Sequence, residues 1–336
     1  MEEKDIIIGG NIIRENSETV CYLPVAHLPT RTEIDIPTYV YRAAEPGPTV
    51  LFSGGLHGDE INGVEIVRQI LDCNLHHVNR GMVICVPIIN VYGFIHFSRY
   101  VPDGKDVNRS FPGFANGSLA SKVAYVVMQN ILPFVDYGID FHTGGAQRSN
   151  YPQIRGDFRD AEIYELAKSM QTPFKIHSGP IPRSFRKAAF DLGKRILVYE
   201  GGETLRFDPY AIAEGIDCAT RFLQSLGMTD IASTSQKETI EIERSTWMRC
   251  SSSGMWLPKV KMGQYVEKGQ DLGFTTSPYG DFREHIYARV SGYVLALNHH
   301  AVVNRGDALI HLGVAGSIFE DAGEVEPEEE IITGKV

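Results

Sequence analysis

The sequence predicts an α/β protein with a mostly parallel sheet flanked by helices, followed by a small all-β domain of the barrel-sandwich type. Three observations carry this prediction. Near-continuous apolar runs of strand length (PTVLFSGG, GMVICVPIIN, DYGIDFHTGG, KRILVYEGGE) alternate with helical patterns such as EINGVEIVRQILD, as strands covered on both faces require. From about Ile231 the texture changes, first to the polar stretch IASTSQKETIEIE, a linker or connecting strand, and then to short β-like units with glycine-marked turns. Within these units a segment repeats: Val266-Glu-Lys-Gly269-Gln-Asp-Leu272 returns as Val303-Asn-Arg-Gly306-Asp-Ala-Leu309, with Gly254 and Gly292 opening the two copies, which points to pseudo-twofold symmetry. The expected organisation is an α/β domain over 1–235, a β domain over 240–320 and an acidic tail over 321–336.

Each strand ends on chemistry-bearing residues. PTVLFS runs into GGLHGDE, which offers His57 and Glu60 three apart; these share a side if a helix begins there. Asn90 closes the second run, His142 the third and Glu200 the fourth. Open α/β sheets bind ligands beyond the carboxyl ends of their strands, so these residues are expected on one rim. Alone, His57 and Glu60 would read as caps of a helix terminus, and His142 as a hydrogen-bonded strand-end histidine. Their convergence favours a metal, because catalytic zinc commonly takes three His and Glu ligands and leaves a fourth position open. The pattern differs from HExxH, since Glu60 would be a ligand and the base must come from elsewhere; Glu200 is available. The stretch SRYVPDGKDVNRSFPG adds candidates. Metal-bound histidines commonly donate their other N–H to a carboxylate, which suits Asp106 for His57 and Asp140 for His142. Asn108 and Arg109 suit a carboxylate grip, and Arg99 could polarise a carbonyl. Standing alone, the stretch would equally read as a Pro/Gly-rich surface loop with solvated arginines.

Composition narrows the partners. The chain has 336 residues, 43% of them apolar and 22% charged, enough for one large core and one smaller one. A formal charge of −10 disfavours nucleic acid and anionic membranes. No apolar window approaches the ~18 residues of a membrane span, and MEEKDIIIGG lacks a signal-like start. The five cysteines Cys21, Cys73, Cys85, Cys218 and Cys250 form no CxxC pair, which suits a reducing compartment. The expected location is the cytoplasm, and a homo-oligomer is expected from size alone.

HGDE, DVNR, DFHTGG and YEGGE, in this order at strand ends, resemble the succinylglutamate desuccinylase and aspartoacylase family, which is related to the zinc carboxypeptidases. The resemblance spans nearly the whole chain. It implies a zinc-carboxypeptidase-like, mixed, mostly parallel sheet and one Zn2+ per chain on His57, Glu60 and His142. It implies Glu200 as general base and acid, with Glu203 as a rival that does not directly terminate the apolar strand. It also implies Asp106 behind His57, Asn108 and Arg109 as substrate-carboxylate ligands, and Arg99 as electrophile. The implied reaction is hydrolysis of the N-acyl amide bond of a small N-acyl amino acid. Zinc lowers the pKa of water to about 7, Glu200 moves the proton, and charge is met as it develops.

Two other functions compete. A metallocarboxypeptidase acting on small peptides would keep the zinc site with a more open cleft. LPKVKMGQYVEKGQDLG resembles the first half of a lipoyl or biotinyl carrier, but the following turn, SPYGDFREHIYARV over 277–290, contains no lysine to modify. The β domain is therefore expected to serve as a lid or dimer surface, with Tyr279, Arg283 and His285 as solvated loop residues. The pairs His76-His77 and His299-His300 are expected to be incidental, and His27, His96, His177 and His311 lack partners at metal spacing.

Overall fold

A computed structural model describes residues 6–231 and 238–317 of the chain. The tail expected at 321–336 and much of the polar linker lie outside the described residues. The four apolar runs form the strands Glu45–Ser53, Arg80–Val86, Tyr137–Gly144 and Arg195–Glu203. They lie side by side in parallel, with Glu45–Ser53 between Arg80–Val86 and Tyr137–Gly144, and Arg195–Glu203 beyond the latter. Alternate residues serve opposite faces: Leu51, Ile84 and Ile196 enter one core cluster, while Val50, Phe52, Val83, Phe141 and Tyr199 enter another. Helices Leu119–Asn130 and Phe185–Asp191 cover the first face with Val123, Val127 and Phe185. Helices Ile61–Asp72 and Pro209–Ser225 cover the second with Ile66, Ile70 and Phe222. Burying each such aromatic side chain contributes roughly 1.5–3 kcal/mol.

Among the described residues the sheet has twelve strands and is mixed, with five neighbouring pairs parallel and six antiparallel, so it is not the mostly parallel sheet expected. Parallel pairing is confined to two blocks, because Arg148–Gly156 runs antiparallel to Arg195–Glu203 between them and antiparallel strands close both edges. Tyr137–Gly144 and Arg148–Gly156 are separated by residues 145–147 alone. A parallel crossover needs a dozen or more residues, so the chain must return antiparallel.

The C-terminal β region has its own core, with Val266 and Leu272 of one repeat and Val303 and Leu309 of the other all buried in it. The copies exchange partners symmetrically: Gly254 pairs with Val303, and Gly292 with Val266. Gly269 and Gly306 take φ of 87° and 93°, the left-handed conformation that explains the glycine in each copy. The region is also continuous with the main sheet, because Ile240–Ile242 pairs in parallel with Phe174–Ile176.

One residue at this seam reports on acid stability. His311 is buried against Trp247, rings stacked at 4.6 Å and 7°, and burial, assisted by the Arg155 charge, pushes its imidazole down to about 3. The unfolded chain protonates this histidine near 6.5, so between about 6.5 and 3 the unfolded state holds the extra proton and stability falls as pH falls. The expected slope from this group is on the order of 1 kcal/mol per pH unit. Urea unfolding of the protein and of His311→Gln at several pH values checks this: the variant should lose less stability on acidification, and parallel curves would refute the assignment.

Candidate active site

The first strand ends at Ser53, and the next residues turn back under the helix that follows. Gly54 allows this because a Cβ there would lie 2.6 Å from the Gly63 carbonyl oxygen, and Gly55 takes φ of 57°. The helix begins at Ile61, with Glu60 as its N-cap residue. His57 and Glu60 are therefore brought together by a turn, in which the Glu60 N–H donates to the His57 carbonyl at 3.2 Å, and not by a shared helical face.

Three buried side chains meet beyond that turn. Glu60 Oε1 lies 2.6 Å from His57 Nδ1, and Glu60 Oε2 lies 2.8 Å from His142 Nδ1. The Thr143 N–H also donates to Oε2, at 3.1 Å. One ligand atom from each of His57, Glu60 and His142 lies within 4.8 Å of the others, a grouping that could hold a metal ion. The second ring nitrogens face carboxylates: His142 Nε2 lies 2.7 Å from Asp140 and His57 Nε2 lies 3.4 Å from Asp106. Asp140 is itself fixed by the Ser53 hydroxyl at 2.7 Å. This donor set fits zinc, since imidazoles held from behind by carboxylates keep one nitrogen oriented toward the metal.

The charges agree with the packing. Burial alone would raise Glu60, but His57 and His142 hold its carboxyl well below the usual carboxylate range. Burial opposes protonation of His142, yet Asp140 and Glu60 raise it well above an ordinary imidazole. Asp106 behaves like Glu60: burial is outweighed by His57 and Arg99, which hold it low. Arg99 spans this cluster, donating from Nε and Nη2 to Asp106 at 3.0 and 2.8 Å and from Nη1 to Glu60 at 3.5 Å.

His57, Glu60, Arg99, Asn108, Arg109, Asp140, His142 and Glu200 line one cavity of about 400 Å3, with Asp106 just behind the wall. Glu200 pairs in register with His142 on the neighbouring strand, and its Oε2 accepts from Asn150 Nδ2 at 2.8 Å. Burial raises its carboxyl above the ordinary range, against the pull of Arg155 and His142. Glu203 lies outside the lining and accepts from the Ser149 hydroxyl at 3.1 Å. The side-chain oxygen of Asn108 accepts from the Phe185 N–H at 2.9 Å, while Arg109 donates to the Asn108 carbonyl at 2.9 Å. Asn90, expected on the same rim, instead caps a short helix by accepting from the Gly93 N–H at 2.9 Å.

Sequence reading missed part of this wall. Arg148, Asn150, Arg155, Arg186 and Trp247 also line the cavity. Arg155 Nε and Arg186 Nη1 are buried with no hydrogen-bond partner among the described residues. Burial, with Arg155 nearby, pushes the Arg186 guanidinium down to about 10. Trp247 comes from the C-terminal β region, with the Arg148 guanidinium 5.7 Å from its ring centroid. Nothing local in QRSN, QIRG or SFRK distinguishes these arginines from surface ones. The 277–290 segment is not all turn as expected, because Arg283–Tyr287 is a strand paired with Asp271–Thr276, and it stays away from the cavity: Tyr279 is exposed, Arg283 lies 4.3 Å over Phe274, and His285 pairs with Asp271 at 2.9 Å.

A buried His-Glu-His group at the strand ends of a mixed α/β sheet, beside a carboxylate and several arginines, is a group that could hold a metal ion next to a proton-accepting side chain. The succinylglutamate desuccinylase/aspartoacylase catalytic domain matches residues 46–226, and the chain belongs to that family. A relative in Halomonas elongata, N-alpha-acetyl-L-2,4-diaminobutyric acid deacetylase, is 28% identical over 86% of this chain and 87% of its own. Two solved structures share the fold. The product-bound ectoine utilization protein EutE (DoeB) from Ruegeria pomeroyi has a TM-score of 0.81 at 22% identity, covering 93% of this chain and 100% of that one. The succinylglutamate desuccinylase/aspartoacylase from Rhodobacter sphaeroides has a TM-score of 0.80 at 22% identity, covering 90% and 97%. Among the described residues no helix is long and apolar enough to cross a membrane.

Proposed function

We propose that this protein is a zinc-dependent amidohydrolase that cleaves the N-acyl amide bond of a small N-acyl amino acid. The observation that carries the reading is the buried His57–Glu60–His142 group, with carboxylates behind both histidines and Glu200 in the same cavity. His57, Glu60 and His142 would hold one Zn2+, and Asp106 and Asp140 would orient the two rings. Zinc bound there supplies Lewis acidity, acidifying water and polarising a carbonyl. Glu200 takes the proton from the attacking water on its free carboxylate oxygen and returns it to the departing amine, a role that its burial-raised basicity suits. Arg99, already oriented by Asp106, places positive charge where negative charge develops.

Substrate anions would be met at two places. Asn108 and Arg109 form one, and the Arg155–Arg186 pair, with its unmatched N–H groups, forms the other. Arg186 Nη2 already donates to the Ser178 hydroxyl and the Gly179 carbonyl, but a buried guanidinium N–H left without a partner, as at Nη1, is costly unless the ligand supplies one. Arg186→Ala should therefore raise KM by roughly 10–100-fold with little change in kcat, as initial rates over a range of substrate concentrations would show. An unchanged KM would remove Arg186 from binding. The C-terminal region fits a barrel sandwich that walls the cavity through Trp247 and has no carrier role.

The reading as a whole is tested by metal content together with hydrolysis of a panel: Nα-acetyl-2,4-diaminobutyrate, N-acetylaspartate, N-succinylglutamate and simple dipeptides. Bound zinc and one cleaved N-acyl amide support it. Cleavage of dipeptides alone would make the protein a peptidase, and failure on every compound after zinc addition would refute the proposal.

A further inference from the structure

A second cluster of metal-ligand side chains lies at the opposite end of the helix that Glu60 caps. That helix, Ile61–Asp72, has 12 residues and so spans ~18 Å. Asn74, with φ of 55°, ends it, and the Leu75 N–H donates back to the Ile70 carbonyl at 2.9 Å. This turn delivers His76 and His77 to Glu18 on the edge strand Ser17–His27. The imidazole centroids are 4.3 Å apart, and the His77 ring is braced by Tyr41, stacked at 4.5 Å.

The nitrogens are aimed at the two oxygens of one carboxylate. His76 Nε2 lies 3.5 Å from Glu18 Oε1, and His77 Nε2 lies 3.2 Å from Glu18 Oε2. His76 Nδ1 faces the Ile70 carbonyl at 3.4 Å; that oxygen can only accept, so the ring proton belongs on Nδ1 and Nε2 carries a lone pair. Nε2 is buried and has no hydrogen-bond partner among the described residues. A lone pair thus faces a carboxylate oxygen with no hydrogen bond between them, an arrangement that a cation between them would satisfy. Metal–ligand bonds of ~2.1 Å place tetrahedral ligand atoms ~3.4 Å apart, close to both spacings observed. Glu18 and His77 are part-exposed, with side chains 40% and 39% accessible, so water can complete the shell.

We propose that Glu18, His76 and His77 form a second metal site, independent of the candidate active site, that takes a divalent transition-metal ion such as Zn2+. Two imidazoles and one carboxylate favour zinc, nickel or copper over magnesium or calcium. The ion would tie the edge strand to the turn that ends the helix, a structural clamp and not a catalytic centre.

The test is Zn2+ titration of the untagged, metal-stripped full chain against a chromophoric chelator, in parallel with His77→Ala, Glu18→Gln and His142→Ala. His77 and Glu18 are solvent-facing, so both of those variants should fold, and circular dichroism checks that they do. The expected result is about two zinc ions per wild-type chain and about one in each variant, with the zinc-dependent rise in Tm diminished in His77→Ala. Loss of a zinc in His77→Ala but not in His142→Ala would keep this site and refute the active-site reading. Wild-type stoichiometry in both His77→Ala and Glu18→Gln would overturn the proposal.

Discussion

Glu200→Gln is expected to fold normally, keep its metal and lose roughly 10²–10⁴-fold in kcat. The substitution preserves shape, and an amide oxygen can still accept the Asn150 N–H that Glu200 now receives. What it removes is, among the described residues, the one carboxylate that lines the cavity beside His142 without facing either candidate ligand histidine at hydrogen-bond distance. Glutamine cannot take a proton from water, so the loss should fall on kcat, with KM largely unchanged. Glu203→Gln is the control. Glu203 lies beyond the register shift that follows Glu200 in the strand, on Ser149 and outside the cavity, so its variant should keep near-full turnover. Full activity in Glu200→Gln with loss in Glu203→Gln would move the base to the second position.

His142→Ala should lose metal and activity together, with no measurable turnover in the panel assay, and should also destabilise the fold. Its ring lies between two buried carboxylates, Asp140 at 2.7 Å and Glu60 at 2.8 Å. Removing one partner of a buried ionic network costs about 3–5 kcal/mol, so the variant should show a lower urea midpoint as well as an empty site. Metal analysis of the folded fraction separates the two effects. Zinc retained at the wild-type level in folded His142→Ala would sink the assignment of His142 as a ligand, whatever happened to stability.

Much of the candidate site was legible because it is written at strand ends. An apolar run followed by glycine marks where a strand stops, and the polar residues just beyond that point must lie on one rim of the sheet. His57, His142 and Glu200 were readable in this way, and the resemblance of HGDE, DVNR, DFHTGG and YEGGE added the loop residues. The same reasoning overshot at Asn90, which lies four residues beyond the end of its strand, Arg80–Val86, and caps a helix instead. It also treated His76-His77 as incidental, because their partner Glu18 lies far earlier in the chain and meets them only through packing.

The sequence by itself determined the alternation of strands and helices, the two-copy C-terminal repeat and the ligand types at the strand ends, since each depends on local hydrophobic period or turn chemistry. Tertiary structure alone decided how far parallel pairing extends, with residues 145–147 returning the chain antiparallel between two parallel blocks, and that Trp247 of the C-terminal region lines the same cavity. It also decided that Arg155 and Arg186, both half-buried, turn toward that cavity. An arginine is read from sequence as solvated, because burying its charge is unfavourable; only a folded wall that brings carboxylates and a place for an anionic ligand beside it can offset that cost.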